Sequence, residues 1–171
     1  MEITSHFEGR FLSVREIDEW EFATRPNATS VVGILAFTEN DEIILVEQFR
    51  RPVQSHVMEI CAGLVGDEPE FEGESLMDTA ARELLEETGY VAESITPLLS
   101  SPTSAGMTDE MTHLFLGTQC RKEGLGGGVA AEDITTHLVP RAELFSFLKN
   151  SEQRGVMTDF KIFAALAAAS R

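Results

Sequence analysis

The chain has 171 residues, 43% hydrophobic and 25% charged, which suits one domain with a sizeable core and excludes a disordered tail or a repeat fibre. Thirteen basic against 29 acidic side chains leave a net charge of −16, so general nucleic-acid or anionic-membrane binding is disfavoured. Cys61 and Cys120 make neither a disulfide framework nor a zinc knuckle, and no apolar signal core or membrane-length apolar run occurs; the sequence predicts a soluble, cytoplasmic protein with two reduced thiols.

From Glu8 to Thr24, β-rich pieces (Phe11 to Val14, then Trp20 to Ala23) are broken by charge, as hairpin strands are. After the turn signal Arg25-Pro26-Asn27, the apolar run Val31 to Phe37 reads as a strand buried on both faces. Ile43 to Val46 reads as a second buried strand, and Val57 to Leu64 as one short third. An acidic loop from Gly66 to Glu74 leads into a helix that Ser75 caps, with Asp78 completing a capping box, and that Gly89 stops. Further strands are expected near Ile95–Leu99, His113–Leu116 and Thr135–Val139, and helices over Arg141–Asn150 and Thr158–Ala169. The pattern predicts a single α+β domain over residues 1–171, with an N-terminal β extension at 1–30 and the core at 31–171.

Helical spacing puts Leu76, Met77, Ala80, Ala81, Leu84 and Leu85 on one broad apolar arc, with Glu83, Glu86 and Glu87 beside it. Like charges at i, i+3 and i+4 destabilise a helix, and the dipole near a C-terminus opposes anions as well. A divalent cation removes the conflict, because Mg²⁺ and Mn²⁺ prefer hard oxygen ligands. Arg82, four residues before Glu86, is placed to hold that carboxylate. The alternative is a solvated acidic face with an ordinary surface ion pair.

The run from Glu74 through seven residues to Arg82-Glu83-Leu84-Leu85-Glu86-Glu87-Thr88-Gly89-Tyr90 resembles the Nudix signature. The family glycine normally stands six positions before the first glutamate, where this chain has Glu68; the natural partner is Gly63, implying about five extra residues around Gly66–Glu72. Trp20 to Arg25, Val46 to Arg50, Glu59 to Leu64, Ser101 through Glu110, and Glu132-Asp133-Ile134 follow in an order similar to the ADP-ribose and nucleoside-diphosphate-sugar pyrophosphatase branch. Cys61 stands where that branch usually has proline, a packing change.

The resemblance implies an α/β/α sandwich with a mixed sheet, a homodimer formed through the N-terminal β segment, and a Mg²⁺ or Mn²⁺ site. Metal ligands would be Glu83, Glu86, Glu87, the backbone oxygen of Ala62, and the loop acid Glu132, with Arg82 in support. Some relatives carry a glutamate base two residues before that loop acid, where this chain has Ala130; the base is left open among Glu132, Asp133, Glu110 and a purely metal-activated water. Trp20 would stack on a nucleobase, Arg25 and Arg50 would meet phosphate or a partner chain, and Glu110 would line the substrate site.

Other patterns fail. Gly124, Gly126, Gly127 and Gly128 make no phosphate-binding fingerprint and read as a flexible loop leading to Glu132; His6, His56, His113 and His137 show no metal spacing; Ser101 and Ser104 lack a nucleophile elbow. The implied activity is hydrolysis of the pyrophosphate bond of ADP-ribose or a nucleoside diphosphate sugar, giving a nucleoside monophosphate and a sugar phosphate. The alternatives are another Nudix substrate (a dinucleoside polyphosphate, a nucleoside triphosphate or capped RNA) and a non-catalytic nucleotide-sensing domain.

Overall fold

Apolar residues alternate between two faces along the central strands, and each face recruits its own helices. The computed structural model describes residues 2–67, 69–71, 73–128 and 133–171. Strand β4 (Ser30–Thr38) sends Val32, Ile34 and Ala36 to one core and Leu35 and Phe37 to the other. Strand β5 (Glu42–Arg50) divides likewise, Ile44 to the first and Ile43 and Leu45 to the second. The first core is closed by helix α1 (Leu76–Glu83) through Ala80, and by Leu84 beyond it. The second is closed by α2 (Leu144–Gln153) through Leu144 and Leu148, and by α3 (Phe160–Ala169) through Ile162 and Ala165. The expected α/β/α sandwich around a mixed sheet is what forms.

Three further strands precede β4: β1 (Thr4–Glu8), β2 (Ser13–Ile17) and β3 (Trp20–Thr24) make a separate antiparallel sheet. The first of these escapes the sequence reading because Thr4-Ser5-His6-Phe7-Glu8 has no apolar alternation, and all five residues are exposed. This small sheet docks on the core along residues 106–109. Trp20 Nε1 donates to Gly106 O (3.2 Å), Ala23 N to Met107 O (2.8 Å) and Thr24 Oγ1 to Asp109 Oδ2 (2.9 Å).

The segment expected as one strand over Val57–Leu64 is two. Strand β6 (Ser55–Glu59) pairs with β5, and β7 (Cys61–Val65) pairs with β4. The chain crosses from one neighbour to the other at the fully buried Ile60, and the sheet splits there. Strands β8 (Tyr90–Val91) and β9 (Ser94–Pro102) flank β10 (Met111–Lys122), which runs parallel to β4. Strand β11 (Thr135–Pro140) pairs with β5, and the two-residue β12 (Met157–Thr158) runs parallel to β6. Two residues are too few for β8 and β12 to show in a hydropathy pattern.

Helix α1 starts as expected. Ser75 Oγ accepts from Asp78 N at 3.2 Å and donates to the Asp78 carboxylate at 2.6 Å, an N-cap worth about 1 kcal/mol. Its buried stripe is narrower than the six-residue arc, since Met77 and Leu85 are exposed. Thr79 takes a buried place instead, its hydroxyl donating to Glu74 Oε2 at 2.9 Å and to Ser75 O at 3.1 Å. After Glu83 the helix widens into a π turn over Leu84–Thr88, and Gly89 ends it at φ +73°. Among the described residues no helix is long and apolar enough to cross a membrane.

Candidate active site

The split between β6 and β7 opens a cleft of about 490 Å³, and the C-terminal half of the α1 segment forms one wall of it. Gly63 sits beneath Glu83, and a Cβ at Gly63 would overlap the Glu83 carboxyl group. A bare backbone is therefore required for this carboxylate to lie against β7. Burial pushes the Glu83 carboxyl up to about 7; Arg82 opposes the shift, and Glu86 and Asp67 add to it.

Glu87 is only 5% exposed, and Ala62 N donates to its Oε2 at 3.2 Å. Beside it, burial first, and then the Glu87 carboxylate, push the Cys61 thiol well above its ordinary range, so Cys61 is an inert core thiol. Glu86 lies nearer the rim. Arg82 ties the face together: its Nη1 donates to Glu86 Oε2 at 2.9 Å and sits 3.0 Å from Glu83 Oε1, while Nε donates to Glu74 Oε2 at 3.2 Å. Its guanidinium stacks on the Phe71 ring, 4.1 Å from the centroid, so the fork is held on both sides.

Cations form a second wall. Arg25 Nε donates to Glu110 Oε2 (2.6 Å), Arg50 Nε to the 4%-exposed Glu59 (2.6 Å), and Lys161 Nζ to Asp159 Oδ2 (2.6 Å). Burial works against the charge on Arg50, but Glu59, with Glu87 and Asp159, outweighs it and holds the guanidinium above its ordinary value. The cleft thus brings together Ala62, Arg82, Glu83, Glu86 and Glu87 with Arg25, Arg50 and Glu110. Among the described residues, the expected Trp20 and Asp133 are not in it. Trp20 is 62% exposed on β3 and lines separate shallow hollows, because its indole is turned toward Gly106. Glu132, like Ala130, lies outside the described residues, as do Glu68 and Glu72 of the preceding acidic loop. Asp133 is exposed and does not line the cleft.

The donor set, carboxylates beside a backbone carbonyl strand, suits a hard divalent cation, and the glycine cradle under Glu83 serves no apolar packing purpose. The three helix glutamates are nevertheless not drawn into one tight knot, since Arg82 holds two and Ala62 the third. Among the described residues the trio whose ligand atoms all fall within 4.8 Å of one another is His6, Glu16 and Glu21. Strand pairing, not sequence spacing, gathers it: Glu16 opposes Glu21, and a bulge between Ser5 and Phe7 brings in His6. His6 Nε2 is 2.5 Å from Glu16 Oε2, which already accounts for that contact as an exposed ion pair.

Sequence reading missed Lys161, whose signal was the N-cap Asp159 two residues earlier, with Asp159 Oδ1 accepting from Lys161 N at 2.6 Å. It also missed Arg10 and Phe11, which line an adjoining hollow of about 310 Å³ that shares Arg25, Leu64 and Asp67 with the main cleft. An exposed aromatic in a hairpin turn was the available hint.

Comparison with known proteins agrees with this geometry. An ADP-ribose pyrophosphatase of Bacillus subtilis is 42% identical over 101 residues, 58% of this chain and 49% of that relative, so the match spans about half of the relative's length. A GDP-mannose pyrophosphatase of Citrobacter koseri is 29% identical over 143 residues, 78% of this chain and 70% of that one. A solved ADP compounds hydrolase superposes with a TM-score of 0.75 at 19% identity, over 99% of this chain and 90% of the other, which speaks to the fold. The model of the NUDIX domain matches residues 27–160, and the chain belongs to that family.

Proposed function

We propose that this chain is a divalent-metal-dependent hydrolase of the pyrophosphate bond in ADP-ribose or a nucleoside diphosphate sugar. The observation that carries the reading is one cleft with a carboxylate wall and a cation wall. The carboxylates suit metal and the cations suit phosphate, so a diphosphate bridges them. The named activities of the Bacillus and Citrobacter relatives point the same way.

In this reading Glu83, Glu86, Glu87 and the Ala62 carbonyl hold Mg²⁺ or Mn²⁺, with Glu132 retained as a further ligand on the sequence resemblance alone. A bound cation supplies Lewis acidity toward the diphosphate and its attacking water. Arg82 fixes the directions of Glu83 and Glu86. Arg25, Arg50 and Lys161 bind the phosphoryl oxygens. Water adds to one phosphorus, and the bridging oxygen leaves with the other phosphate, giving a nucleoside monophosphate and a sugar phosphate. The water's proton goes to Glu110 or Glu132, and the pH–rate profiles of Glu110→Gln and Glu132→Gln separate the two. Phe11 and Arg10, in the adjoining hollow, receive the outer part of the substrate.

The exposed apolar residues Ile3, Phe7, Leu12 and Trp20 of the N-terminal segment support a homodimer, in which Trp20 would serve a partner's cleft. Light scattering on the purified chain tests this, a dimeric mass being expected. The net charge of −16 supports an enzyme without general affinity for nucleic acid.

The deciding experiment offers ADP-ribose, GDP-mannose, dinucleoside polyphosphates and nucleoside triphosphates to the purified protein with Mg²⁺, with Mn²⁺ and with chelator. Monophosphate release from the first two, abolished by chelator, is expected. Preference for triphosphates would reassign the substrate class, and tight binding without turnover would make the chain a sensor.

A further inference from the structure

A helix that carries three carboxylates in its last turns leaves its final carbonyls pointing the same way, and each needs a donor. The α1 segment finds most of those donors in one distant loop. Leu84 O accepts from the Thr88 hydroxyl and Leu85 O from Gly89 N (2.8 Å). Glu86 O accepts from Gly128 N (3.0 Å) and Glu87 O from Gly127 N (2.8 Å). Gly89 O accepts from both Glu123 N and Gly124 N (2.9 Å each). The remaining carbonyl, Thr88 O, accepts from Lys122 Nζ at 2.7 Å, and the same ammonium donates to Leu125 O at 3.2 Å.

The glycines are required for the approach. A Cβ on Gly126 would lie 2.5 Å from the Thr88 carbonyl carbon, and one on Gly89 would overlap Gly124 O. Gly126, Gly127 and Gly128 all take positive φ (73°, 101° and 77°), which places successive N–H groups against the helix end. The glycine loop, expected as a flexible loop leading to Glu132, is thus bonded through Gly127 and Gly128 to the backbone of Glu87 and Glu86. Lys122 stands 5.0 Å from the Tyr90 ring centroid, which fixes its stem, and its charge meets the negative end of the helix.

We propose that Lys122 and the loop 123–128 are a clasp that holds the π turn, and so sets the aim of Glu86 and Glu87 relative to Glu83; Lys122 is a positioning residue. The inference rests on the reading of the cleft as a metal-dependent diphosphate site. The π turn makes the clasp necessary. A regular α-helical end would turn residues 86 and 87 to different directions, and here the carbonyls of Glu86, Glu87 and Thr88 take donors from Gly128, Gly127 and Lys122.

The test compares wild type, Lys122→Met and Lys122→Arg by Mn²⁺ titration with electron paramagnetic resonance and by steady-state kinetics on ADP-ribose at saturating metal. Lys122→Met keeps the stem on Tyr90 and removes the donor. Its Mn²⁺ affinity and kcat should fall about tenfold or more, the usual range for a group that orients a metal ligand, while KM for substrate stays unchanged. Lys122→Arg should recover most of the loss, which a merely structural lysine would not require. Wild-type Mn²⁺ affinity in a folded Lys122→Met would overturn the clasp. Failure of the wild-type chain to bind Mn²⁺ would overturn the diphosphatase reading and the clasp's role with it. Should Lys122→Met not fold, hydrogen exchange on the wild type decides: protection of the Gly127 and Gly128 amides at the level of the helix supports the clasp, and exchange at the rate of open chain overturns it.

Discussion

The two walls of the cleft are built on opposite plans. The carboxylate wall comes from one stretch of helix, with Glu83, Glu86 and Glu87 within five residues of each other and Arg82 reaching three acids at once. The cation wall comes from three separate places in the chain, Arg25 just after β3, Arg50 on β5 and Lys161 on α3, each cation carrying its own acid. The first wall has an excess of negative charge that only an external cation offsets. The second is nearly neutral as it stands, and its cations are held in place before any ligand arrives. One wall needs a ligand to be electrostatically content; the other needs only to be rigid.

If that contrast is right, damage to the carboxylate wall should abolish turnover while leaving the fold intact. Glu83→Gln and Glu87→Gln, assayed at saturating Mg²⁺, should each lose about a hundredfold or more in kcat. Thermal unfolding without metal should show Tm equal to or above wild type for Glu83→Gln, because a buried carboxylate among other acids is removed. Wild-type rates in either variant would sink the contrast. Gly63→Ala approaches the same wall from below. Its methyl must displace the Glu83 carboxylate, so Mn²⁺ affinity and kcat should drop by about tenfold or more, with a stability loss of about 1–3 kcal/mol from overpacking. A crystal structure of Gly63→Ala with Glu83 unmoved would refute the cradle.

Arg50→Ala should reverse the pattern. It leaves Glu59, 4% exposed, without its partner, so Tm should fall by an amount corresponding to about 1–3 kcal/mol, and KM for ADP-ribose should rise about tenfold. Arg50→Lys keeps the charge but loses the fork, and should recover Tm better than KM. Equal recovery of both would show that the two functions of Arg50 are one.

The same contrast explains what the sequence could reveal. The carboxylate wall is local, so its spacing, the Ser75 cap and the Gly89 stop are all visible along one helix. The buried strands were legible for a similar reason: Val31 to Phe37 and Ile43 to Val46 are apolar on both faces because both faces are covered. The crossing at Ile60 was not legible, since an uninterrupted apolar run looks the same whether it keeps one neighbour or changes to another. Nor was the π turn, because no residue type specifies it and its donors come from a loop some forty residues on, between Lys122 and Gly128. Lys161 and Phe11 belong to the site only through topology. Trp20 shows the converse, an aromatic at the expected place in the chain whose indole the fold commits to Gly106.

Lys161→Met should have the mildest effect, and for a reason that sharpens the comparison. Asp159 loses one partner but keeps another, the backbone N–H of Lys161 that it caps at 2.6 Å, so α3 retains its N-terminus. The Asp159 N–H still bonds Met58 O at 2.9 Å and anchors the helix start to β6. Tm should therefore change little. The lost ammonium leaves the Asp159 carboxylate beside the phosphate path, so KM should rise several-fold with kcat nearly unchanged, the signature of lost uniform binding. Raising salt should narrow the gap between variant and wild type, because screening weakens both the attraction removed and the repulsion uncovered. A gap that is independent of salt, or a fall in kcat matching the rise in KM, would move Lys161 from ground-state phosphate binding to transition-state charge stabilisation, and the cation wall would then share in the chemistry it otherwise only supports.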